Sequence, residues 1–305
     1  MSTRRALHRL SSAPVVLLAR PFAPGNIGAV ASAMSNFGMC DLRIIDPQTA
    51  TWRGDPEAVA AAAGSTALLD AARTFSTLHD ATDDLHLVLA TTARDRGRGD
   101  GLSGDSPVLS PRAACRRAAD AVGAGQRVGL LFGSETNGLS RDELRSAHVL
   151  VTVPTNPSFS SLNLAQAVLL LGYEYQSQSS STAVTSGDGE PLATSGAVRG
   201  VLELWIDLLR DACFFRDPRV AKAADPHAAE VVRASAVWEE SRSLAMGDKL
   251  RSVLHRSRPS EDDVGLLSDA LHGLTQPQRQ RQPRHGAGAA ATARVVPRST
   301  ICTAK

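Results

Sequence analysis

Three short segments of this chain combine glycine with amide, hydroxyl and carboxylate side chains: PGNIG (24–28), FGSETNGL (132–139) and TNPSFSSLN (155–163). Each follows an apolar run that reads as a buried strand. Polar or glycine-rich loops at strand carboxyl ends form the ligand crevice of a parallel α/β sheet. Glycine also lets backbone amides approach a bound molecule closely. Any one of these loops alone would pass for a tight turn. Three together, with matched Asn and Ser, argue for a binding site.

Several chemistries fall away. The G-x-x-G of PGNIG is not the G-x-G-x-x-G of a dinucleotide fold, and Asp46, at the end of the second strand, is followed by Pro47. No G-x-x-x-x-G-K-[ST] phosphate loop occurs. Cys40, Cys115, Cys213 and Cys302 are far apart, which argues against a disulfide scaffold, a zinc site or a redox pair. The eight histidines form no H-E-x-x-H pattern, so no metal centre is expected.

The 305 residues suffice for one sizeable domain with additions. Composition is ordinary for a soluble protein, at 43% hydrophobic and 21% charged. No run approaches the roughly 18 apolar residues of a membrane span, so no membrane partner is expected. The net charge is only +2, but the ends are basic. The first 40 residues have no Asp or Glu, and neither do residues 270–305. Basic ends suit nucleic-acid contact, and they equally suit a solvated tail. The Arg- and Ser-rich start MSTRRALHRLSSAP reads either as a mitochondrial or plastid transit peptide or as a frayed terminus of a cytoplasmic protein.

The elements that must position the loops follow from periodicity. VVLLA (15–19) reads as a strand. Ile27, Val30, Ala31 and Met34 then recur at helical spacing, with Ser32, Ser35 and Asn36 on the other face. Asn26 is placed to cap this helix, and Gly38 to end it before the strand LRII (42–45). PEAVAAAAG and ALLDAARTF read as helix broken near Gly64. LHLVLATTA (85–93), RVGLLFG (127–133) and VLVTVP (149–154) read as further strands, and PRAACRRAADAV and RDELRSA as helices. LNLAQAVLLLGYEYQ (162–176) reads as a long helix with Leu162, Ala165, Leu169 and Tyr173 on one apolar face. The alternation predicts an α/β fold with a parallel sheet. The expected boundaries are a flexible or transit segment (1–13), the α/β domain (14–176), a Ser/Thr/Gly-rich linker (177–196), a helical extension (197–275) with an acidic start at PSEDD, and a disordered basic tail (276–305).

In order, PGNIGAVASAMSNFG with DLRIIDP, LLFGSETNGLSRDEL, and VTVPTNPSFSSLNLAQAV resemble the three motifs of the SPOUT superfamily of RNA methyltransferases. The likeness is to its TrmJ/SpoU group of RNA ribose 2′-O-methyltransferases. It covers about residues 15–176 and continues weakly into KLRSVLHRSRPSEDDVGLLSDAL. The resemblance implies a SPOUT domain with a C-terminal trefoil knot that holds S-adenosyl-L-methionine. It also implies a homodimer acting on RNA, with tRNA favoured over rRNA. By motif position, the cofactor contacts would be Thr91, Thr92, Ala93, Gly133, Val153, Ser160, Ser161 and Leu162. Asn26 and Glu135 match family site positions. Asn26 would bind RNA, position the first motif or merely cap its helix; Glu135 would anchor loops or meet a partner-subunit arginine. Asn163 would organise the knot, and Ser161 could act as a helix cap.

One position departs from the family pattern. Its first motif normally reads G-A-V-A-R-A-M, with an arginine on RNA phosphate that is implicated in activating the hydroxyl. This chain has Ser32 there, and Ser134 where close relatives place another arginine. Serine supplies neither a cation nor a forked phosphate contact. Arg20, Arg94, Arg96 and Arg98 are candidates to compensate. The alternative expectation is an RNA-binding protein of the same fold with reduced or no catalysis.

Overall fold

The computed structural model describes residues 13–93, 107–179, 192–217 and 229–275. The strands are β1 (Val15–Ala19), β2 (Leu42–Ile45), β3 (Arg73–Phe75), β4 (Leu87–Thr91), β5 (Val108–Leu109), β6 (Val128–Phe132) and β7 (Val149–Val151). The helices are α1 (Pro24–Asn36), α2 (Pro56–Ala61), α3 (Thr66–Ala71), α4 (Leu78–Thr82), α5 (Pro111–Gly123), α6 (Arg141–Arg145), α7 (Leu164–Ser179), α8 (Ser195–Asp211), α9 (Ala229–Ser257) and α10 (Glu261–Thr275).

All strand pairs are parallel, in the order β3-β2-β1-β6-β4-β7-β5. The parallel α/β class read from the sequence is the one observed, and the order is compatible with the knot. VVLLA and VGLLF are buried throughout because helices cover both faces of these central strands. Val16 and Leu18 face a core with Ile27 and Met34 of α1, Ala114 and Ala118 of α5, and Val168 and Leu171 of α7. Val15, Leu17 and Ala19 face the opposite core, with Ala81 of α4 and Leu144 of α6.

Several elements differ from expectation. ALLDAARTF does not end as helix: Arg73–Phe75 is an edge strand paired with β2. Helix α1 begins at Pro24, with Ala23 as its N-cap, so Asn26 lies inside the first turn and does not cap it. Ser35 and Asn36 are exposed, but Ser32 is half-buried. Helix α7 buries Leu164, Val168, Leu171 and Tyr175, leaving Leu169 at 43% and Tyr173 at 61% exposure. At the two ends of the span expected as a linker (177–196), α7 runs to Ser179 and α8 starts at Ser195 behind a Thr194 cap; 180–191 lie outside the described residues.

Within GNIG, Gly28 serves packing. A Cβ on Gly28 would lie 2.0 Å from the Ala58 carbonyl oxygen, so this glycine lets α1 and α2 touch. Gly38, at φ +67°, takes the left-handed turn that ends the first helical segment.

Helices α8, α9 and α10 share their own core, with Val201, Leu202 and Ile206 against Leu254, Val264 and Leu271. The expected cap of α10 is present, since Ser260 and Asp263 exchange hydrogen bonds of 2.9 and 3.1 Å. This unit meets the sheet at the amino ends of its strands. The Ser195 amide donates to the Leu85 carbonyl at 2.7 Å, and Arg199 pairs with Asp83. His148, just before β7, stacks on His255 of α9 with ring centroids 4.2 Å apart. No described helix is long and apolar enough to cross a membrane.

Candidate functional site

The carboxyl ends of β4, β6 and β7 open onto a cavity of about 270 Å³. The end of β4 and the segment after it contribute Thr91, Thr92 and Ala93; the loop after β6 contributes Gly133 and Glu135; β7 leads into Val153; and the approach to α7 contributes Ser160, Ser161 and Leu162. The structure thus gathers all eight residues that the motifs assign to a cofactor along one cavity.

Local chemistry explains the shape of each wall. After β6 the chain turns sharply: the Gly138 amide donates to the Ser134 carbonyl at 2.9 Å, and Gly138 has φ +65°. A Cβ on Gly133 would sit 2.1 Å from the Gly138 carbonyl carbon. Only glycine at 133 lets this loop close on itself. The Thr91 hydroxyl donates to the Leu131 carbonyl at 3.2 Å, tying the ends of β4 and β6. Past β7, the Ser158 amide donates to the Asn156 side chain at 2.9 Å, and Thr155 reaches the Ser160 carbonyl at 3.2 Å. This Asx turn swings Ser160–Leu162 to the cavity rim.

Val151, Val153, Leu162, Leu164 and Ala167 form an apolar lining, and threonine and serine side chains stand among them. A slot of this kind suits a flat aromatic base, with polar groups to orient the rest of a nucleoside. The residues present therefore fit S-adenosylmethionine. The motif reading did not name Thr136, Asn137 and Leu139, which also line the cavity. The FGSETNGL run was the signal for them, but nothing in it told which side chains turn inward.

A hydrogen-bonded chain joins the three motifs. Glu135 accepts from the Phe22 amide at 2.9 Å, the Ala23 amide at 3.3 Å and Asn26 Nδ2 at 2.8 Å. Asn26 Oδ1 accepts from Asn163 Nδ2 at 3.1 Å, and Asn163 Oδ1 accepts from the Ala165 amide at 2.9 Å. Asn163, rather than Ser161, thus caps the start of α7. Burial would raise the Glu135 pKa, but these donors outweigh it and hold the carboxyl below its ordinary value. A carboxylate so occupied anchors loops and makes a weak base.

Of the five catalytic candidates, Glu135 lines the cavity, Asn26 and Asn163 join it through hydrogen bonds, Arg20 bonds the lining residue Gly138, and Ser32 is not among the lining residues. Arg20 does not offer a free cation in place of the missing arginine: its guanidinium pairs with Glu143 and donates to the Gly138 carbonyl at 3.3 Å. Arg94, Arg96 and Arg98 lie outside the described residues.

Comparison with known proteins agrees with this geometry. Residues 13–173 match the model of the SpoU rRNA Methylase family. The Pseudomonas aeruginosa tRNA (cytidine/uridine/adenosine-2′-O-)-methyltransferase TrmJ is 41% identical over 159 residues, 52% of this chain and 58% of that protein. The Escherichia coli K12 tRNA (cytidine/uridine-2′-O-)-methyltransferase TrmJ is 30% identical over 252 residues, 83% of this chain and 91% of its own. The crystal structure of TrmJ from Z. mobilis superposes with a TM-score of 0.68 at 31% identity, covering 87% of this chain and all of that one. Motif order, a parallel sheet with its cavity at the strand carboxyl ends, and these likenesses lead to one assignment: the chain belongs to the SpoU family of RNA methylases.

Proposed function

We propose that this chain is an S-adenosylmethionine-dependent tRNA ribose 2′-O-methyltransferase that works as a homodimer. The observation that carries the reading is the single cavity lined by all eight motif-assigned residues. The tRNA methyltransferases among its relatives support the substrate, and one of them aligns over most of both chains. Exposed Leu169 and Tyr173 on α7, and Phe159 at 79% exposure, support a surface that a second copy covers.

When bound, the cofactor supplies an electrophilic methyl on a sulfonium. The chain's own groups do the rest. Val153, Leu162 and Leu164 would exclude water from the base, and the turn at Gly133–Gly138 shapes the slot. Glu135, Asn26 and Asn163 hold the three motif loops together, and would thereby orient a ribose hydroxyl toward the methyl. Ser32 leaves the RNA side of α1 without the family's cation.

The test is transfer of labelled methyl from S-adenosylmethionine to purified tRNA and, separately, rRNA, followed by nucleoside digestion. The expected result is label in 2′-O-methylnucleosides of tRNA. Label confined to rRNA would reassign the substrate. Label seen only with Ser32→Arg would favour the RNA-binding reading with lost catalysis.

A further inference from the structure

Segment 20–26 touches the cavity loop at both of its ends. Glu135 holds the near end against the Phe22 and Ala23 amides. At the far end, Arg20 meets both carboxylate oxygens of Glu143 and also the carbonyl of Gly138, a residue that lines the cavity. Glu143 in turn accepts from the Ser140 amide at 2.6 Å, completing a capping box on α6. The side chain of Glu143 is nearly buried, with 11% exposure. Arg20 itself sits at φ +49°, a left-handed backbone conformation that favours glycine. An arginine held there carries a guanidinium that the loop uses.

We propose that Arg20 and Glu143 are a positioning pair for the cofactor loop: the ion pair fixes Gly138–Ser140 so that the cavity keeps the width its ligand needs. The inference rests on the reading of the cavity as a cofactor site. It differs from a role for Arg20 as an RNA contact, because the guanidinium is committed to Glu143 and the Gly138 carbonyl.

The variants separate the pair from the helix cap and from backbone strain. Arg20→Gly removes the guanidinium and suits the left-handed backbone. Glu143→Gln keeps an acceptor for the Ser140 amide but loses the charge that Arg20 grips. The full-length protein is used, with S-adenosylmethionine binding measured by calorimetry and tRNA binding by filter retention. Each variant weakens cofactor binding about tenfold, the double variant is no weaker than the worse single, and tRNA affinity stays within about twofold. Unchanged cofactor binding with lost tRNA binding in Arg20→Gly would overturn the proposal and make Arg20 an RNA contact. Unchanged binding of both ligands would also overturn it. If the wild-type chain itself bound no S-adenosylmethionine, the cofactor reading would fall and this proposal with it.

Discussion

The two ends of the sheet use similar charged residues to opposite effect. At the carboxyl ends, Glu135 and Glu143 take hydrogen bonds from loops that shape the cavity, which Glu135 also lines. At the amino ends, Arg43 on β2 is 1% exposed and bonds Asp84, Asp41 and the Ala81 carbonyl. Arg127 joins the same two aspartates, and Arg73 joins Asp41. Burial would raise both aspartate pKa values, yet these arginines hold them below the ordinary carboxylate value. One end spends its charges on positioning loops around a ligand. The other closes itself with ions and carries the helical extension. A polar residue in a parallel sheet thus takes its role from the strand end at which it lies.

The sharpest way to break this division is at Arg43. Arg43→Met leaves Asp84 and the Ala81 carbonyl short of a donor inside the protein, and stability in urea should fall by about 2–4 kcal/mol. Cofactor affinity of the folded fraction should be unchanged. A loss of affinity matching the loss of stability would show that the two ends are not separate. At the other end, Glu135→Gln should reverse the pattern. Methyl transfer drops on the order of 100-fold, about 2.7 kcal/mol, while the melting temperature moves by only a few degrees.

The histidine stack sharpens the comparison through pH. Burial, then the positive neighbours, lowers both histidines: His148 well below its ordinary value, beside His255, Arg117 and Arg258, and His255 to about 4, beside Arg251. The folded protein therefore keeps both rings neutral where the unfolded chain would protonate them. Stability is fully present above about pH 7 and falls as pH drops from about 6.5 toward 4. The slope is at most about 1.4 kcal/mol per pH unit for each ring, where the unfolded chain binds one proton more than the folded one. Thermal melts at pH 7.5 and 5.5 should show the drop, and His255→Leu should flatten it. A flat wild-type profile would mean that the stack does not hold the extension to the sheet. The smallest effect is expected at Ser32. Ser32→Arg should tighten tRNA binding by about fivefold and steepen its salt dependence by one phosphate contact, with cofactor affinity unchanged.

Much of this was legible in the chain. The loops after β1, β6 and β7 were readable because glycine and small polar residues followed apolar runs. Other features were hidden for physical reasons. Asn26 looked like a cap, but Pro24 is pre-shaped for the first helical turn and moves the start of α1 three residues earlier, with Ala23 as its cap. Arg73–Phe75 is too short to show alternation, and its pairing with β2 and the Arg73–Asp41 bridge decide its state. Helix α7 is apolar nearly all round, so spacing could not tell the core face from the face that Leu169 and Tyr173 present outward. Arg43 within LRII gave no sign that it is buried, or that Asp84, 41 positions away, joins the neighbouring Asp41 as its partner. Nor could the sequence show that Arg20 is engaged by Glu143, 123 positions away.

The measurement that bears most directly on the central claim is a crystal structure of the chain soaked with S-adenosylhomocysteine. The product should lie along Thr91–Ala93, Gly133, Val153 and Ser160–Leu162, with its base against Leu162 and Leu164 and the Arg20–Glu143 pair intact. Density for the product at the amino ends of the strands, or none in this cavity at saturating concentration, would contradict the account.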